Sequence, residues 1–111
     1  MESISLTELA VEQLAAAQRV ATGRSAVTVL GGRGRTLRQI VLAFVAGKGL
    51  DDHEAPGEAT LQVLRGRVRL ATEDDNWEGT AGDLLTIPAL RHNLEALDDS
   101  VVLLSVSVPQ R

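Results

Sequence analysis

Two glycine-bounded stretches decide how this chain folds: GKGLDDHEAPGEATLQVLRG at 47–66 and GDLLTIPALRHN at 82–93. Both contain short runs of leucine and β-branched residues, and both are interrupted by glycine, proline or aspartate, which is typical of strands separated by turns. Each stretch also contains one of the two histidines of the chain, His53 and His92. The sequence therefore predicts short strands with a histidine at the edge of a strand in each stretch.

The same pattern of short apolar runs separated by turn residues extends over the chain from Ser25 onward. Strand-like runs cover 26–30, 37–46, 59–64, 67–71, 84–87, 92–97 and 101–108, and the main breaks between them lie at 31–32, 47–57, 65–66, 72–75, 79–82 and 98–99. These connections are too short for crossover helices, so the pattern predicts an antiparallel sandwich or barrel. The glycine-rich 31–34 lacks the lysine and the following helix of a phosphate-binding loop, and we interpret it as a hairpin turn.

The alternation of residues within strands predicts which faces are buried. In 101–108 the even-numbered residues are all apolar and are expected to face the interior, whereas the odd-numbered ones change from apolar to polar along the strand. The run 40–45 is apolar on both faces, which excludes an exposed edge strand. Because one small barrel has a single interior, this surplus apolar surface predicts cover by a helix or by a second copy, and we expect a homodimer.

The N-terminal segment predicts one helix. Ser5 and Glu8 have the spacing of a capping box, and Ile4 and Leu9 that of a hydrophobic staple. Gly23 is suited to end the helix, which we place over 6–22. The chain is thus expected to consist of an N-terminal helical extension, 1–24, and a barrel domain, 25–111.

Composition excludes several classes of function. The chain has 111 residues, enough for one domain, and its lack of cysteine excludes disulfides, thiolate metal sites and a cysteine nucleophile. The net charge of −4 and the scarcity of aromatic residues argue against nucleic acid as a partner. With no signal-peptide pattern and no long apolar run, we expect a cytoplasmic protein without a membrane partner. The preference for arginine over lysine indicates a GC-rich bacterial source.

The spacing of glycines, proline and histidines resembles the two motifs of the cupin superfamily, G-x5-H-x-H-x3,4-E-x6-G and G-x5-P-x-G-x2-H-x3-N. Gly47, His53 and Gly66 match the first motif, and Gly82 and Pro88 match the second. The resemblance covers about residues 37–108. It implies an all-β, cupin-type double-stranded β-helix, or jelly-roll barrel, preceded by the one N-terminal α-helix.

The chain departs from these motifs at the positions that hold metal in cupins. The second histidine of the first motif is replaced by Ala55, and its glutamate is replaced by Ala59. In the second motif Leu90 stands in place of glycine, and His92 comes one residue early. Glu54 and Glu58 alternate out of phase with His53 and are expected to point away from it unless a bulge reverses the phase.

Three interpretations of the site follow. It is a metal-free barrel mouth with two neutral histidines, a two-histidine metal site completed by solvent or outside ligands, or an acid–base pair without metal. The metals considered for His53 and His92 are zinc, iron, nickel and manganese, each bound weakly. The small-molecule ligand is expected to contact His53, His92, Ala55, Ala59 and Gln39, the last because one of Arg38 and Gln39 has to face the barrel. Leu61 or Leu90 is expected to fill the space that the missing ligands leave.

The resemblance leaves the function open between two main classes, with a regulatory or structural module that acts by dimerisation as a third. The first is a small cupin-domain protein that binds a small molecule in the barrel, with no demonstrated enzymatic activity. The alternative is a metal-dependent cupin enzyme, of the oxygenase or isomerase type, that uses His53 and His92. The number of metal ligands distinguishes them, since catalytic metal sites generally keep three protein ligands and an open position.

Overall fold

The computed structural model describes residues 1–54 and 57–108. Its elements in chain order are α1 (Leu6–Arg19), β1 (Arg24–Leu30), β2 (Leu37–Phe44), β3 (Gly49–His53), β4 (Ala59–Arg65), β5 (Arg67–Ala71), β6 (Asn76–Thr80), β7 (Leu84–Thr86), β8 (His92–Ala96) and β9 (Ser100–Ser107).

The nine strands of the described residues form two antiparallel sheets. The five-stranded sheet has the order β1-β2-β9-β4-β7, and the four-stranded sheet has the order β3-β8-β5-β6. Chain neighbours such as β3 and β4 thus lie in different sheets, while β4 pairs with β9, which comes much later. This arrangement is the jelly-roll barrel with one helix that the sequence predicts.

The five-stranded sheet has an apolar core on each side. Its inner face packs against the four-stranded sheet in the barrel core, which is built from alternate residues such as Phe44, Leu61 and Val102. Its outer face packs against α1 and forms a second apolar cluster, which we call the helix core. Val41, Ala43 and Val101 of the sheet belong to this cluster. The even-numbered residues of 101–108 face the barrel, as predicted, and α1 covers the apolar half of the odd-numbered set.

The helix begins as predicted but ends earlier. Ser5 is the N-cap, and its hydroxyl accepts a hydrogen bond from the Glu8 amide at 3.2 Å. The helix ends at Arg19 rather than Thr22, because the backbone of Val20 is already extended. Gly23 then turns the chain into β1 with a φ of +66°, a conformation that favours glycine. Ala10, Leu14 and Ala17 are the buried residues of the helix.

Two strands lie where the sequence predicts none. β3 falls within the predicted break at 47–57, and β6 occupies 76–80, between and partly within two predicted breaks. Each is an edge strand of the four-stranded sheet with one neighbour. Most of their residues are polar or glycine, and an edge strand with one exposed face needs few apolar residues. Hydrophobic runs therefore do not mark them.

The predicted need for a cover over β2 is met within the chain. Val41 and Ala43 are fully buried beneath α1 in a single copy. The surplus apolar surface that led to the expectation of a homodimer is thus largely accounted for by the helix. Among the described residues, no helix combines the length and the apolar character needed to cross a membrane.

Candidate functional site

The two histidines meet at one end of the barrel. β3 ends at His53 and β8 begins at His92, and the two residues are directly paired across the antiparallel strands. The connections 72–75 and 87–91 lie at the same end, because Ala71, where β5 ends, pairs with Asn93. We call this end of the barrel the mouth.

The imidazole rings of His53 and His92 are in contact. Their centroids are 4.4 Å apart, and the ring planes are inclined by 60° in an edge-on arrangement. His92 is only 2% exposed, whereas His53 is half-buried. The sequence predicted this juxtaposition from the pairing of the two strands in a cupin barrel, and the geometry confirms it.

Backbone carbonyls fix the same tautomer in both rings. His53 Nδ1 lies 2.8 Å from the Asp51 carbonyl oxygen, and His92 Nδ1 lies 2.7 Å from that of Leu90. A carbonyl oxygen only accepts hydrogen bonds, so each Nδ1 carries the hydrogen. In a neutral ring the lone pair is then on Nε2, which has no hydrogen-bond partner within residues 1–54 and 57–108. The mouth thus presents two acceptor nitrogens.

A β-bulge places His53 on the inner face. Leu50 pairs with Leu94, and His53 pairs with His92, so three steps along β3 match two steps along β8. Leu50 packs against the barrel core, and simple alternation would therefore turn His53 outward. The extra residue reverses the phase and brings His53 to the same face as Leu50.

Polar contacts on the outer side of the sheet hold the bulge. Asp52 accepts a hydrogen bond from Asn93 Nδ2 at 2.9 Å and lies 3.8 Å from the Arg91 guanidinium. Arg91 and Asn93 flank His92, so these contacts join the two histidine-bearing strands. A shallow groove of about 870 Å³ runs along this outer side. Three basic and three acidic side chains line the groove, which therefore has no net preference for charge, and neither histidine lines it.

The other residues expected at the site lie in different places. Ala59 is 4% exposed and belongs to the barrel core, so it faces the interior. Ala55 lies outside the described residues. Gln39 is not brought to the histidines, because its amide donates to Ser105 Oγ at 3.0 Å on the side of the sheet that α1 covers. Its register places it with Val41 and Ala43, so the expectation that it faces the barrel is wrong.

The two leucines expected to fill the interior behave differently. Leu61 is 2% exposed within the barrel core and does fill it. Leu90 is 59% exposed, so its side chain lies outside the barrel core. Its contribution to the site is instead the carbonyl that holds His92.

The donor set at the mouth falls short of a catalytic metal centre. Within the described residues, no group of three or more histidine, aspartate, glutamate or cysteine side chains is placed to hold a metal ion. Glu54 and Glu58 are exposed, as predicted. Both imidazoles have Nδ1 hydrogen-bonded to a backbone carbonyl, as metal-binding histidines usually do. A third protein ligand is missing from the described residues.

A small cavity adjoins the mouth beside Trp77. It has a volume of about 160 Å³ and is lined mainly by apolar side chains, among them Trp77, Leu85 and Leu90. None of these residues was expected to bind the ligand. The signal available in the sequence is that Trp77 is the only tryptophan, in a chain with one further aromatic residue.

Comparisons with known proteins identify the fold. No protein-family model matches the sequence, and no curated protein matches it. Among solved structures, an RmlC-like cupin protein from Desulfovibrio desulfuricans superposes with a TM-score of 0.74 at 25% identity, covering 96% of each chain. KdgF from a Halomonas species gives 0.68 at 22% identity, covering 84% of this chain and 87% of that one.

A longer enzyme contains a similar domain. The salicylate 1,2-dioxygenase from Pseudaminobacter salicylatoxidans superposes with a TM-score of 0.75 at 19% identity, and the match covers 90% of this chain and 33% of the enzyme. At this identity the likeness concerns the fold alone. The neighbours named as cupins superpose over most of this chain, and the chain therefore has the cupin fold.

Proposed function

We propose that this chain is a small-molecule-binding cupin whose site is the histidine pair at the mouth. The observation that carries the proposal is the anchoring of both Nδ1 atoms to backbone carbonyls, which leaves two Nε2 acceptors without a partner among the described residues. Binding sites are commonly apolar pockets with a few convergent polar groups. The barrel core supplies the apolar surroundings, and His53 and His92 supply the polar groups.

The chemistry of the pair favours a neutral, hydroxylated ligand. In their neutral form, two imidazoles whose Nε2 atoms have no partner among the described residues accept hydrogen bonds, so their complement is a molecule with two hydroxyl groups close together. His92 is only 2% exposed, so its ring lies in surroundings of low dielectric, where a hydrogen bond to Nε2 is stronger than in water. We therefore expect a vicinal diol to match the pair.

The test uses the fact that the chain has only two histidines. Protein labelled with ¹⁵N-histidine gives four ring-nitrogen signals, which we would follow by NMR while adding cis-1,2-cyclohexanediol to metal-free protein at pH 8. We expect saturable shifts at both Nε2 signals and smaller ones at Nδ1. The shifts should disappear for His53 when His92→Ala removes its neighbour, and should persist in Glu95→Gln, which alters an exposed side chain on the outer side of β8. Unchanged Nε2 signals at saturating diol would refute the proposal.

The alternative function is a metal-dependent enzyme. One structurally similar protein, the salicylate 1,2-dioxygenase, is an enzyme according to its name. The support for this alternative here is the Nδ1 anchoring, which is common in metal-binding histidines. The described donors do not fit a three-ligand centre, and Ala59 offers no donor to the interior. A metal held by the pair alone would therefore bind weakly, with solvent or the ligand completing its coordination.

We also propose that the chain forms a homodimer, now on the basis of its sheet edges. Of the four edge strands, β7 has three residues, β3 is bulged and carries two aspartates, and β6 carries Glu78. These features discourage pairing with another strand. β1 has seven residues, none charged after Arg24, and among the described strands it pairs only with β2. Its register shift lies near its end, between Thr28 and Leu30, so residues 24–28 form a regular edge with which a second copy can pair. Light scattering at micromolar concentration is expected to give the dimer mass, and a monomer mass would contradict it.

A further inference from the structure

We infer that the cavity beside Trp77 binds a small apolar ring or branched hydrocarbon group that carries a neutral or cationic polar group. This inference rests on the proposed function: the cavity holds the apolar part of the ligand, and the polar groups of the same ligand contact the histidine pair. The cavity itself is defined by its size, its lining and its charge, none of which depends on the histidines.

The size and the lining of the cavity select the apolar part. The volume is about 160 Å³, and a dry apolar cavity of about 150 Å³ accommodates a benzene-sized ring. Its apolar walls are formed by Leu70, Trp77, Leu85, Pro88 and Leu90. Leu70 is only 4% exposed, whereas Leu90 is 59% exposed. The cavity thus extends from the barrel core to an apolar side chain that solvent reaches, and a bound ring would cover that side chain.

The fold makes room for the indole of Trp77. Gly79 lies two residues further along β6, on the same face, and is buried. A Cβ atom at Gly79 would overlap the Trp77 ring, so only glycine lets the ring occupy this position. Phe44, the other aromatic residue, is 1% exposed and fully committed to the barrel core. Trp77 is thus the aromatic residue that remains half-accessible beside a cavity.

The charge of the rim selects the polar part. The polar lining residues are Thr72, Asp75 and Asn76, and no basic side chain from residues 1–54 or 57–108 lines the cavity. Asp75 is exposed, and one of its carboxylate oxygens accepts the Asn76 amide at 2.8 Å. A carboxylate at the rim without a compensating cation disfavours an anionic ligand, since like charges repel and an apolar cavity solvates charge poorly. Neutral and cationic ligands avoid this penalty.

Leu90 connects the cavity to the histidine pair. Its side chain lines the cavity, and its carbonyl accepts the hydrogen bond that orients His92. Pro88, in the same connection between β7 and β8, also lines the cavity. One short segment therefore shapes both the apolar cavity and the ring that offers an acceptor nitrogen. A ligand that presses on Leu90 is expected to affect the His92 ring as well.

The experiment uses Trp77 as the reporter, because it is the only tryptophan. We would measure its fluorescence with excitation at 295 nm while adding cyclohexanol, cyclohexylamine or cyclohexanecarboxylate, three compounds of similar size that do not absorb there. We expect saturable, blue-shifted emission with cyclohexanol and cyclohexylamine, and binding at least about tenfold weaker for the carboxylate. Equal binding of all three compounds would refute the charge selection, and no response to any of them would refute the cavity.

A matched pair of variants separates the cavity from general surface effects. Leu90→Glu places a charge in the wall, while Leu84→Glu places one on a leucine that is 65% exposed and lies outside the cavity. Both sites are exposed enough for the protein to fold. We expect Leu90→Glu to weaken cyclohexanol binding at least about tenfold and Leu84→Glu to leave it unchanged. Equal loss in both variants would contradict a site at Trp77.

The two proposals fail in distinguishable ways. A Trp77 response without any shift of the histidine ring nitrogens by cis-1,2-cyclohexanediol would keep the cavity and refute the histidine-pair function. Shifted histidine signals with a silent Trp77 would keep the function and refute the cavity. Simultaneous responses with the same dissociation constant for the diol would support both.

Discussion

The two ends of the barrel are built from different kinds of residue. The end opposite the mouth, here called the turn end, consists of tight connections at 45–48, 66, 81–83 and 97–99. Gly47, Gly66 and Gly82 adopt left-handed backbone conformations there, with φ between +82° and +95°. Backbone hydrogen bonds of 2.8 Å, from Gly47 to Ala96 and from Gly82 to Val63, close these turns. The mouth instead carries the histidine pair and the cavity beside Trp77.

This division explains why the fold was more predictable than the function. The glycines that carry the resemblance to cupins all lie at the turn end, where they are needed for backbone geometry. The positions that differ from the motif, such as Ala59 and Leu90, lie towards the mouth, where side chains determine the chemistry. A sequence can therefore keep the residues that specify the barrel while changing those that specify the site, because fold and function depend on different positions.

The largest effect is expected from Gly66→Ala at the turn end. Gly66 has a φ of +82°, and a Cβ there would overlap the Asp99 carbonyl oxygen and Ser100 Oγ. The strained conformation and the overlap together are expected to cost about 4 kcal/mol of unfolding free energy. Chemical denaturation followed by circular dichroism would measure it.

Gly82→Ala is the matched control for Gly66→Ala. Gly82 has a similar φ of +95°, but a Cβ there would have no neighbour within 4 Å. Only the backbone strain remains, and we expect a loss of about 1–2 kcal/mol. Equal destabilisation by the two substitutions would show that the close approach to Asp99 and Ser100 is unimportant, and that the turns differ less than their contacts suggest.

The next largest effect concerns the helix that covers the outer face. Leu14 is 8% exposed in the helix core, and Leu14→Ala is expected to cost about 2–3 kcal/mol, the lower part of the usual range for a buried leucine. Val11 is 55% exposed on the same helix, so Val11→Ala is expected to be within about 0.5 kcal/mol of the parent. An unchanged melting temperature for Leu14→Ala, or after deletion of residues 1–24, would show that α1 contributes little to stability.

The helix and strand patterns were predictable to the extent that apolar residues mark them. The capping box located the start of α1, and the alternation in 101–108 separated the two faces of β9. β3 was missed because its residues after Leu50 are Asp51, Asp52 and His53, and its position depends on pairing with β8. The bulge that turns His53 inward has no glycine to mark it, so the sequence alone could not establish the phase.

The site was predictable in its location but not in its lining. The resemblance placed His53 next to His92, because their strands pair in a cupin barrel. The assignment of Gln39 failed because the choice between Arg38 and Gln39 depends on the register of β2 with β9, which places Gln39 opposite Ser105. The cavity beside Trp77 depends on how separate connections meet at the mouth, and no local pattern encodes that meeting.

A smaller effect is expected from a carboxylate at the turn end. Asp99 accepts hydrogen bonds from the Ala46 amide at 2.9 Å and from Gln18 Nε2 at 3.0 Å, linking α1 to two turns. These bonds, chiefly the one from Ala46, hold the pKa of Asp99 below its ordinary value of 3.8. Because the folded state lowers this pKa, the stabilisation is present above pH 3.8 and is lost as the pH falls through the folded-state pKa.

Asp99→Asn therefore tests the turn end by its pH dependence. Asp99 is exposed, so solvent screening limits the expected loss of stability at pH 7 to under about 1 kcal/mol. The difference in unfolding free energy between the parent and Asp99→Asn is expected to shrink as the pH is lowered below 3.8. A difference that stayed constant from pH 7 to pH 2.5 would argue against stabilisation by the ionised carboxylate.

The smallest effect is expected at the mouth, when metal is removed. Two imidazoles without a third protein donor in the described residues retain zinc, iron, nickel or manganese poorly. Dialysis of untagged protein against chelator is expected to change the unfolding free energy by less than about 0.5 kcal/mol, because a weakly bound ion adds little folding free energy.

Combining Ala55→His with Ala59→Glu is expected to raise zinc affinity by orders of magnitude, since it supplies the two donors that the motif lacks. Competition with a chromophoric chelator would measure the affinity. The opposite outcome would be a stoichiometric metal in the unmodified protein that is lost in His92→Ala. It would show that the mouth is a metal centre although it has few protein ligands, and it would favour the metal-dependent enzyme over the binding protein.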